Sequence, residues 1–204
     1  MARTKNQTER RLTVITAAET MIARHGLQAV TLGSIANEAG MSANALLYYY
    51  SGLKGLLDDV QKQAVERFCS QRAATLADIK DPRDRLRVMI ENGLPTGRDD
   101  QLCRLLHELG AYARSNPEYA ARHIALFERQ VTIYFGILEA GSATGVFKLH
   151  VDSDTVARSL VILEDGLGLH LVNVVPAVDH RTALGILRSY AELATSCSLT
   201  ETGA

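Results

Sequence analysis

Hydrogen-bonding side chains gather in one short segment of the chain, residues 31–50, among small and apolar residues. Asn44 carries an amide that can form two hydrogen bonds with adenine, and Tyr48, Tyr49 and Tyr50 carry three consecutive phenols. Three consecutive tyrosines cannot all be buried on a short element, whereas an exposed tyrosine can donate to a phosphate beside a DNA groove. These residue types favour a surface that contacts DNA. An ordinary helical hairpin inside a core is the alternative, and it does not explain the exposed tyrosines.

Two short helices, residues 32–39 and 43–50, are predicted to position these side chains. Thr31 is a suitable N-cap for the first helix and Ser42 for the second. Gly40 supplies the left-handed residue that ends the first helix and allows a tight turn. The pattern predicts a helix-turn-helix, in which the second helix enters a major groove.

This segment resembles the N-terminal domain of TetR-family transcriptional regulators over about residues 10–60. The resemblance rests, without a gap in spacing, on Ile35-Ala36, Ala39-Gly40-Met41-Ser42, Leu46, the tyrosine run and Leu56-Leu57. It implies an N-terminal DNA-binding domain followed by a helical body, with movement of the connecting helix as the switch. The predicted DNA contacts are Thr31, Ser42, Ala43, Asn44, Tyr48, Tyr49 and Lys54.

Several positions in and after the second helix depart from the family pattern. Where the family often has Lys-Gly, a phosphate-contacting Tyr and a His, this chain has Ala43-Asn44, Leu47 and Tyr49. The lysine common before the next helix is replaced by Leu53, and Lys54 follows one position later. Gly33, where some relatives carry a basic base-reading side chain, offers nothing to a base edge. We expect rearranged phosphate contacts, with base readout by Asn44, Tyr48 and Thr31.

The composition describes a globular chain without a strong overall charge. Its 204 residues are 47% hydrophobic and 22% charged, with 22 Lys and Arg against 23 Asp and Glu. Residues 1–57 nevertheless hold six basic and three acidic side chains, so the N-terminal part is the positive end. The three cysteines are scattered, no apolar stretch follows Met1 as in a signal peptide, and charged residues interrupt the longest apolar segment. These features predict a cytoplasmic protein that does not bind a membrane.

Apolar residues recur at spacings of three and four, which predicts an all-α fold. The expected helices are residues 9–25, 32–39, 43–50, 54–79, 82–93, 99–114, 117–140, 154–174 and 180–196. We expect a helix-turn-helix DNA-binding domain over residues 1–53 and a helical regulatory and dimerisation domain over residues 54–204. The tail from about residue 198 is expected to be disordered.

The predicted helix at 154–174 is apolar around most of its circumference, so it must be covered on two sides. We expect a second copy of the chain to cover one side, because paired helix-turn-helix domains read two half-sites. The alternative is complete burial within one subunit. The residues predicted at the dimer interface are Leu160, Leu167, Leu171, Leu184, Leu187 and Tyr190.

A small-molecule effector is expected to bind among the helices that follow the first domain. The candidate contacts are Met89, Leu102, Leu106, His107, Tyr112, Phe127, Tyr134, Leu138 and Glu164. Each of them also fits an ordinary core position. Glu164 is distinctive because an acid between apolar stripes needs a partner, for which His107 is the candidate within the chain.

Catalytic and metal chemistry have weaker signals. Cys103 and His107 are four residues apart on one helix face, but no second pair has the spacing of a structural zinc site. We expect no catalytic residues, no metal and no cofactor. The sequence predicts a ligand-responsive, sequence-specific DNA-binding regulator, a homodimeric repressor that a small molecule releases from a near-palindromic operator. The alternative is an all-α enzyme or small-molecule-binding protein that uses Glu164 and a histidine.

Overall fold

The computed structural model describes the backbone of residues 2–200 and the side chains of residues 7–200. Within these residues the chain forms nine α-helices, one short 3-10 helix (Leu27–Ala29) and no strand, which confirms the predicted all-α fold. The helices are α1 (Ala2–His25), α2 (Leu32–Glu38), α3 (Ala43–Tyr49), α4 (Leu53–Thr75), α5 (Pro82–Glu91), α6 (Gln101–Ala113), α7 (Pro117–Ala143), α8 (Ser153–Val172) and α9 (His180–Thr195). No helix among the described residues is long and apolar enough to cross a lipid bilayer.

Local hydrogen bonds explain why α2 and α3 begin and end where they do. The Thr31 hydroxyl accepts from the Ser34 backbone N–H, and the Ser34 hydroxyl accepts from the Thr31 N–H. This reciprocal capping box satisfies N–H groups that have no partner within the helix. Ser42 accepts from the Ala45 N–H at the start of α3. Gly40 has φ 65°, so the predicted left-handed residue between the helices is confirmed.

The chain forms two compact units. The first unit contains the residues up to 67 together with 101–123, and the second contains residues 68–100 together with those from 124 onward. Helices α4 and α7 therefore contribute residues to both units. The first unit extends beyond the helix-turn-helix segment because α6 packs against α1.

The first unit has an apolar core that holds the first three helices together. Ile22 of α1, Ile35 of α2 and Leu46 of α3 are completely buried in it. Helix α6 adds Leu105 and Leu109 to the same core. Glu108 of α6 also accepts a hydrogen bond of 3.0 Å from the Leu27 backbone N–H, just before α2. The segment that leads into the helix-turn-helix is therefore tied to α6 by this hydrogen bond.

The second unit is built around α8, which packs against α9. The largest fully buried side chains here include Leu86, Met89 and Ile90 of α5 with Tyr134 and Ile137 of α7.

The end of the described chain also packs on the second unit. Leu199 is buried, and its backbone N–H donates to the Glu192 carboxylate at 2.7 Å. The described part of the expected tail, residues 198–200, is thus in contact with the fold. The rest of that tail lies outside the described residues.

Candidate functional site

Helix α3 is held from one side and exposes the other. Of its seven residues only Leu46 is buried, and its side chain is completely enclosed by the core of the first unit. Ala43, Asn44 and Tyr48 are exposed, and 71% of the Tyr48 surface is accessible. Because Leu46 fixes the rotation of the helix, these exposed side chains form one defined surface.

The three tyrosines have three different environments. Tyr48 is exposed, and the Tyr49 ring is partly buried and packs edge-on against it with 5.2 Å between the ring centroids. Tyr50 is buried, and its hydroxyl donates to Asp59 of α4 at 2.9 Å. The expectation that the three phenols could not all be buried is therefore confirmed.

Tyr50 has a structural role that no local pattern in the sequence indicates. The Arg11 guanidinium lies 4.9 Å from the centroid of its ring, and Arg11 also pairs with Asp59 at 3.2 Å. Burial raises the pKa of Tyr50, and the Asp59 carboxylate raises it further, although Arg11 acts in the opposite direction. Tyr50 therefore remains a neutral hydrogen-bond donor that ties the end of α3 to α1 and α4.

Three of the predicted DNA-contacting residues already have partners in the chain. The Thr31 and Ser42 hydroxyls cap α2 and α3. The Lys54 ammonium forms an ion pair of 2.7 Å with the Glu118 carboxylate of α7, although 73% of the Lys54 side chain is exposed. The hydrogen bond and charge of Glu118 raise the pKa of Lys54, so its ammonium stays protonated. Asn44 and Tyr48 are the most open hydrogen-bonding groups of the predicted set on α3.

The nine candidate effector contacts divide between the two units. Leu102, Leu106, His107 and Tyr112 are partly buried in the first unit. In the second unit, Met89, Tyr134 and Leu138 are completely buried core residues, and Phe127 is partly buried. Met89, Tyr134 and Leu138 therefore occupy ordinary core positions, the alternative that the sequence left open for them.

Glu164, the remaining candidate, forms a buried ion pair with Arg72 of α4. Its two carboxylate oxygens accept from the Arg72 guanidinium at 2.8 and 2.9 Å, and one of them also accepts from the Tyr134 hydroxyl. Arg72 donates further to Gln130 at 2.8 Å and to the Met89 carbonyl at 3.2 Å. The prediction that His107 is the partner of Glu164 is wrong. Arg72 supplies a permanent charge and a fork of N–H donors that matches a carboxylate, which one imidazole cannot do.

The electrostatics of this buried group keep Arg72 charged and Tyr134 protonated. Burial alone would lower the pKa of Arg72, but the charge of Glu164 raises it above its ordinary value. Burial and the Glu164 charge raise the pKa of Tyr134 well above its ordinary value, so Tyr134 stays a donor. Gly93 leaves the space for the carboxylate, because a Cβ atom there would overlap the Glu164 oxygens. The sequence contained a signal that Arg72 is buried, since Arg72 lies at helical spacing from Val65 and Cys69, two buried apolar residues of α4.

His107 lies in the first unit, whereas Glu164 lies in the second. Burial, together with the nearby His123, lowers the pKa of His107. The described residues contain no cluster of three or more His, Cys, Asp or Glu side chains able to hold a metal ion.

The six predicted dimer contacts have different environments in the single chain. Leu160, Leu167, Leu171 and Leu187 are buried within the single chain, where they pack in its own core. Leu184 and Tyr190 are partly buried. The sequence could not distinguish the two faces because the opposite face of both helices is also apolar. We call that exposed face of α8 and α9 the outer face; its large apolar residues are Ile162, Leu169, Ile186 and Leu193.

Family models match both parts of the chain. The model for bacterial regulatory proteins of the tetR family matches residues 14–60, and the model for the C-terminal domain of BetI-type transcriptional repressors matches residues 82–195. The chain belongs to the TetR family of transcriptional regulators and has a C-terminal domain of the BetI type. It is a ligand-responsive, DNA-binding transcriptional regulator, and these matches give the enzyme alternative no support.

Individual relatives agree with this assignment. The HTH-type transcriptional regulator PksA of Bacillus subtilis (strain 168) is 26% identical over 167 residues, which cover 79% of this chain and 78% of that protein. A transcriptional regulator from Saccharomonospora viridis, solved in complex with choline, is 25% identical with a TM-score of 0.85 and covers 91% of this chain and 96% of its own. A TetR transcription regulator from Haloarcula marismortui ATCC 43049 shares the fold at 24% identity and a TM-score of 0.83, covering 92% of this chain and 99% of its own.

Proposed function

We propose that this regulator is a repressor that binds a near-palindromic operator as a homodimer and leaves it when a small molecule binds. Residues 1–53 form the DNA-binding domain, and residues 54–204 form the regulatory and dimerisation domain. The observation that carries the proposal is the anchoring of α3 by Leu46, which exposes Asn44 and Tyr48 together. A major groove admits an exposed helix of this kind.

Each exposed group on α3 has a distinct role in this proposal. The Asn44 amide reads a base edge, because it can pair with adenine through two hydrogen bonds. Tyr48 and Tyr49 donate to phosphates or base edges, and Ala43 allows the backbone to come close to the DNA. Thr31, Ser42 and Lys54 add contacts at the ends of α2, α3 and α4. Tyr50 holds the end of α3 in position through Asp59.

Selection from a pool of random DNA duplexes tests this function and identifies the operator sequence in the same experiment. The full-length protein should enrich one sequence class with two inverted half-sites about one helical turn apart, because a two-fold symmetric dimer presents two copies of α3. Enrichment of no sequence above the starting pool would contradict sequence-specific binding. Enrichment of single half-sites would contradict the dimer.

The outer face of α8 and α9 is the proposed dimer interface. Its apolar side chains are exposed in the single chain, and burial against a second copy would remove them from water. Ile162 lies on this face and Ile124 lies on α7, and each is 60% exposed, so the two residues form a matched pair. Sedimentation at micromolar concentration should show a dimer for the wild type and for Ile124→Glu. Ile162→Glu should be a monomer, and a dimeric Ile162→Glu would place the interface elsewhere.

A small molecule that binds the regulatory domain is the proposed release signal. It releases DNA only if it binds more tightly to a conformation that fits the operator poorly. Choline is the first probe, because the Saccharomonospora viridis regulator was solved with it. Release of the selected duplex by choline would support an effector with a quaternary ammonium group. Retention of the duplex with choline in excess would exclude choline as the effector.

We further propose that the protein is not an enzyme and that it acts in the cytoplasm, where its operator is found. The carboxylate considered for catalysis, Glu164, is buried and occupied by Arg72 and Tyr134. A buried carboxylate whose oxygens already accept from two side chains of the protein is not available to a substrate.

A further inference from the structure

The beginnings of α4 and α7 are joined by a set of contacts within the first unit. The Tyr119 hydroxyl donates to the Lys54 carbonyl at 2.7 Å, and the Gln61 amide donates to the Tyr119 carbonyl at 3.1 Å. Asp58, which lies between Lys54 and Gln61 on α4, forms an ion pair with Arg122 of α7. Tyr119 and Gln61 are buried, so the register between the two helices is fixed.

This register places Glu118 beside Lys54. Glu118 precedes Tyr119 in α7, and its carboxylate lies 2.7 Å from the Lys54 ammonium. Both side chains reach water, with 73% of Lys54 and 45% of Glu118 exposed. An exposed ion pair of this kind is weak and is screened by salt. Lys54 can therefore exchange Glu118 for another anion, while the buried contacts keep the helices in place.

A DNA phosphate at the start of α4 would compete with Glu118 for the same ammonium. A lysine that neutralises a phosphate releases a condensed counterion, which contributes to affinity and to its salt dependence. A lysine that already has a carboxylate partner contributes less to DNA affinity, because the protein must give up or share that ion pair when it binds DNA.

We propose that Glu118 is an affinity-determining residue, a counterion within the chain that competes with a DNA phosphate for Lys54 and weakens operator binding. The inference rests on the proposed function, in which Lys54 contacts DNA. Tyr119, Gln61 and the Arg122–Asp58 pair act as positioning residues, because they hold α7 where the Glu118 carboxylate reaches Lys54.

The test is a double-mutant cycle on Lys54 and Glu118, read as affinity for the selected duplex at several salt concentrations. Glu118→Gln should bind about 2- to 5-fold more tightly than the wild type at low salt, the range expected for release from an exposed ion pair. The plot of log affinity against log salt should steepen by up to about 0.9, which corresponds to one more phosphate contact. In a Lys54→Gln background, Glu118→Gln should change neither quantity.

Two controls separate competition for Lys54 from a change in net charge and from a loss of folding. Glu128→Gln makes the same change in net charge in the second unit, and it should leave DNA affinity unchanged. Thermal unfolding should show that Glu118→Gln remains folded, because the buried contacts of Tyr119 and Gln61 do not involve the carboxylate.

The outcomes distinguish this inference from the proposed function. If Glu118→Gln binds more tightly to the same extent with and without Lys54, the effect is long-range repulsion and competition for Lys54 is excluded. If Lys54→Gln weakens binding in the Glu118→Gln background but Glu118→Gln alone changes nothing, Lys54 contacts DNA and the competition is refuted. If Lys54→Gln has no effect in the Glu118→Gln background, Lys54 does not contact DNA, and both this inference and the proposed role of Lys54 fail.

Discussion

Replacing Glu164 by Gln should destabilise the second unit strongly. The side chains of Arg72 and Glu164 are only 3% and 1% exposed, so neither ion can recover its hydration when the other is removed. Glutamine keeps the shape and one acceptor oxygen, but its NH₂ group would face the N–H donors of Arg72. Breaking a buried pair on one side costs about 3–5 kcal/mol, and the remaining acceptor favours the lower end of this range, about 3 kcal/mol. For a chain of this size, that loss corresponds to a fall in Tm of roughly 6–12 °C.

Denaturant unfolding at a fixed protein concentration measures this loss, since dimerisation makes stability depend on concentration. Glu128→Gln is the matched control: Glu128 pairs with Arg158 at 2.9 Å in the same unit, but this pair is exposed and its loss should leave the midpoint unchanged. The double variant Arg72→Met with Glu164→Leu should recover most of the lost stability, because it removes both ions. Equal midpoints for Glu164→Gln and Glu128→Gln would refute the reasoning.

Three further predictions concern packing, pH and backbone strain. Gly93→Ala should lower the free energy of unfolding by about 1–3 kcal/mol, because the new Cβ meets the fixed Glu164 carboxylate. In a Glu164→Ala background the same substitution should lower the free energy of unfolding much less. Equal losses in the two backgrounds would exclude this clash. The lowered pKa of His107 means that the unfolded chain binds its proton more readily, so stability should fall as pH decreases from about 7 to 5. Denaturation across this range should show a smaller fall for His107→Gln, and an unchanged pH dependence would argue against burial of a neutral His107. Val174 has φ 56°, a left-handed conformation that strains a β-branched residue. Val174→Asn should therefore raise the free energy of unfolding by about 1 kcal/mol. A lower Tm for this variant would contradict the strain.

Local signals were sufficient to predict most of the fold. Thr31, Gly40 and Ser42 define the ends of α2 and α3 through contacts with residues only a few positions away. The same is true of the exposed and buried faces of α3, because Leu46 is its central apolar residue. Such features depend on backbone capping and helical periodicity, which a sequence displays directly.

Features that depend on distant contacts could not be predicted in the same way. Arg72 and Glu164 are 92 positions apart, and no local pattern favours Arg72 over His107 as the partner of Glu164. The packing of α6 against α1 is likewise a contact between distant segments. The exposed face of α8 and α9 could not be identified for another reason: both helices carry apolar residues on both faces, so hydrophobicity does not distinguish the two.

Base readout by the exposed surface of α3 is tested most directly by the affinity ratio between the selected duplex and a scrambled duplex of the same composition. Asn44→Ala should reduce this ratio by about 5- to 150-fold, equivalent to about 1–3 kcal/mol for the loss of one base contact, with little change in affinity for the scrambled duplex. Asn92→Ala, which removes an exposed amide from the second unit, should leave the ratio unchanged. A wild-type ratio for Asn44→Ala would contradict base readout by α3 through this residue.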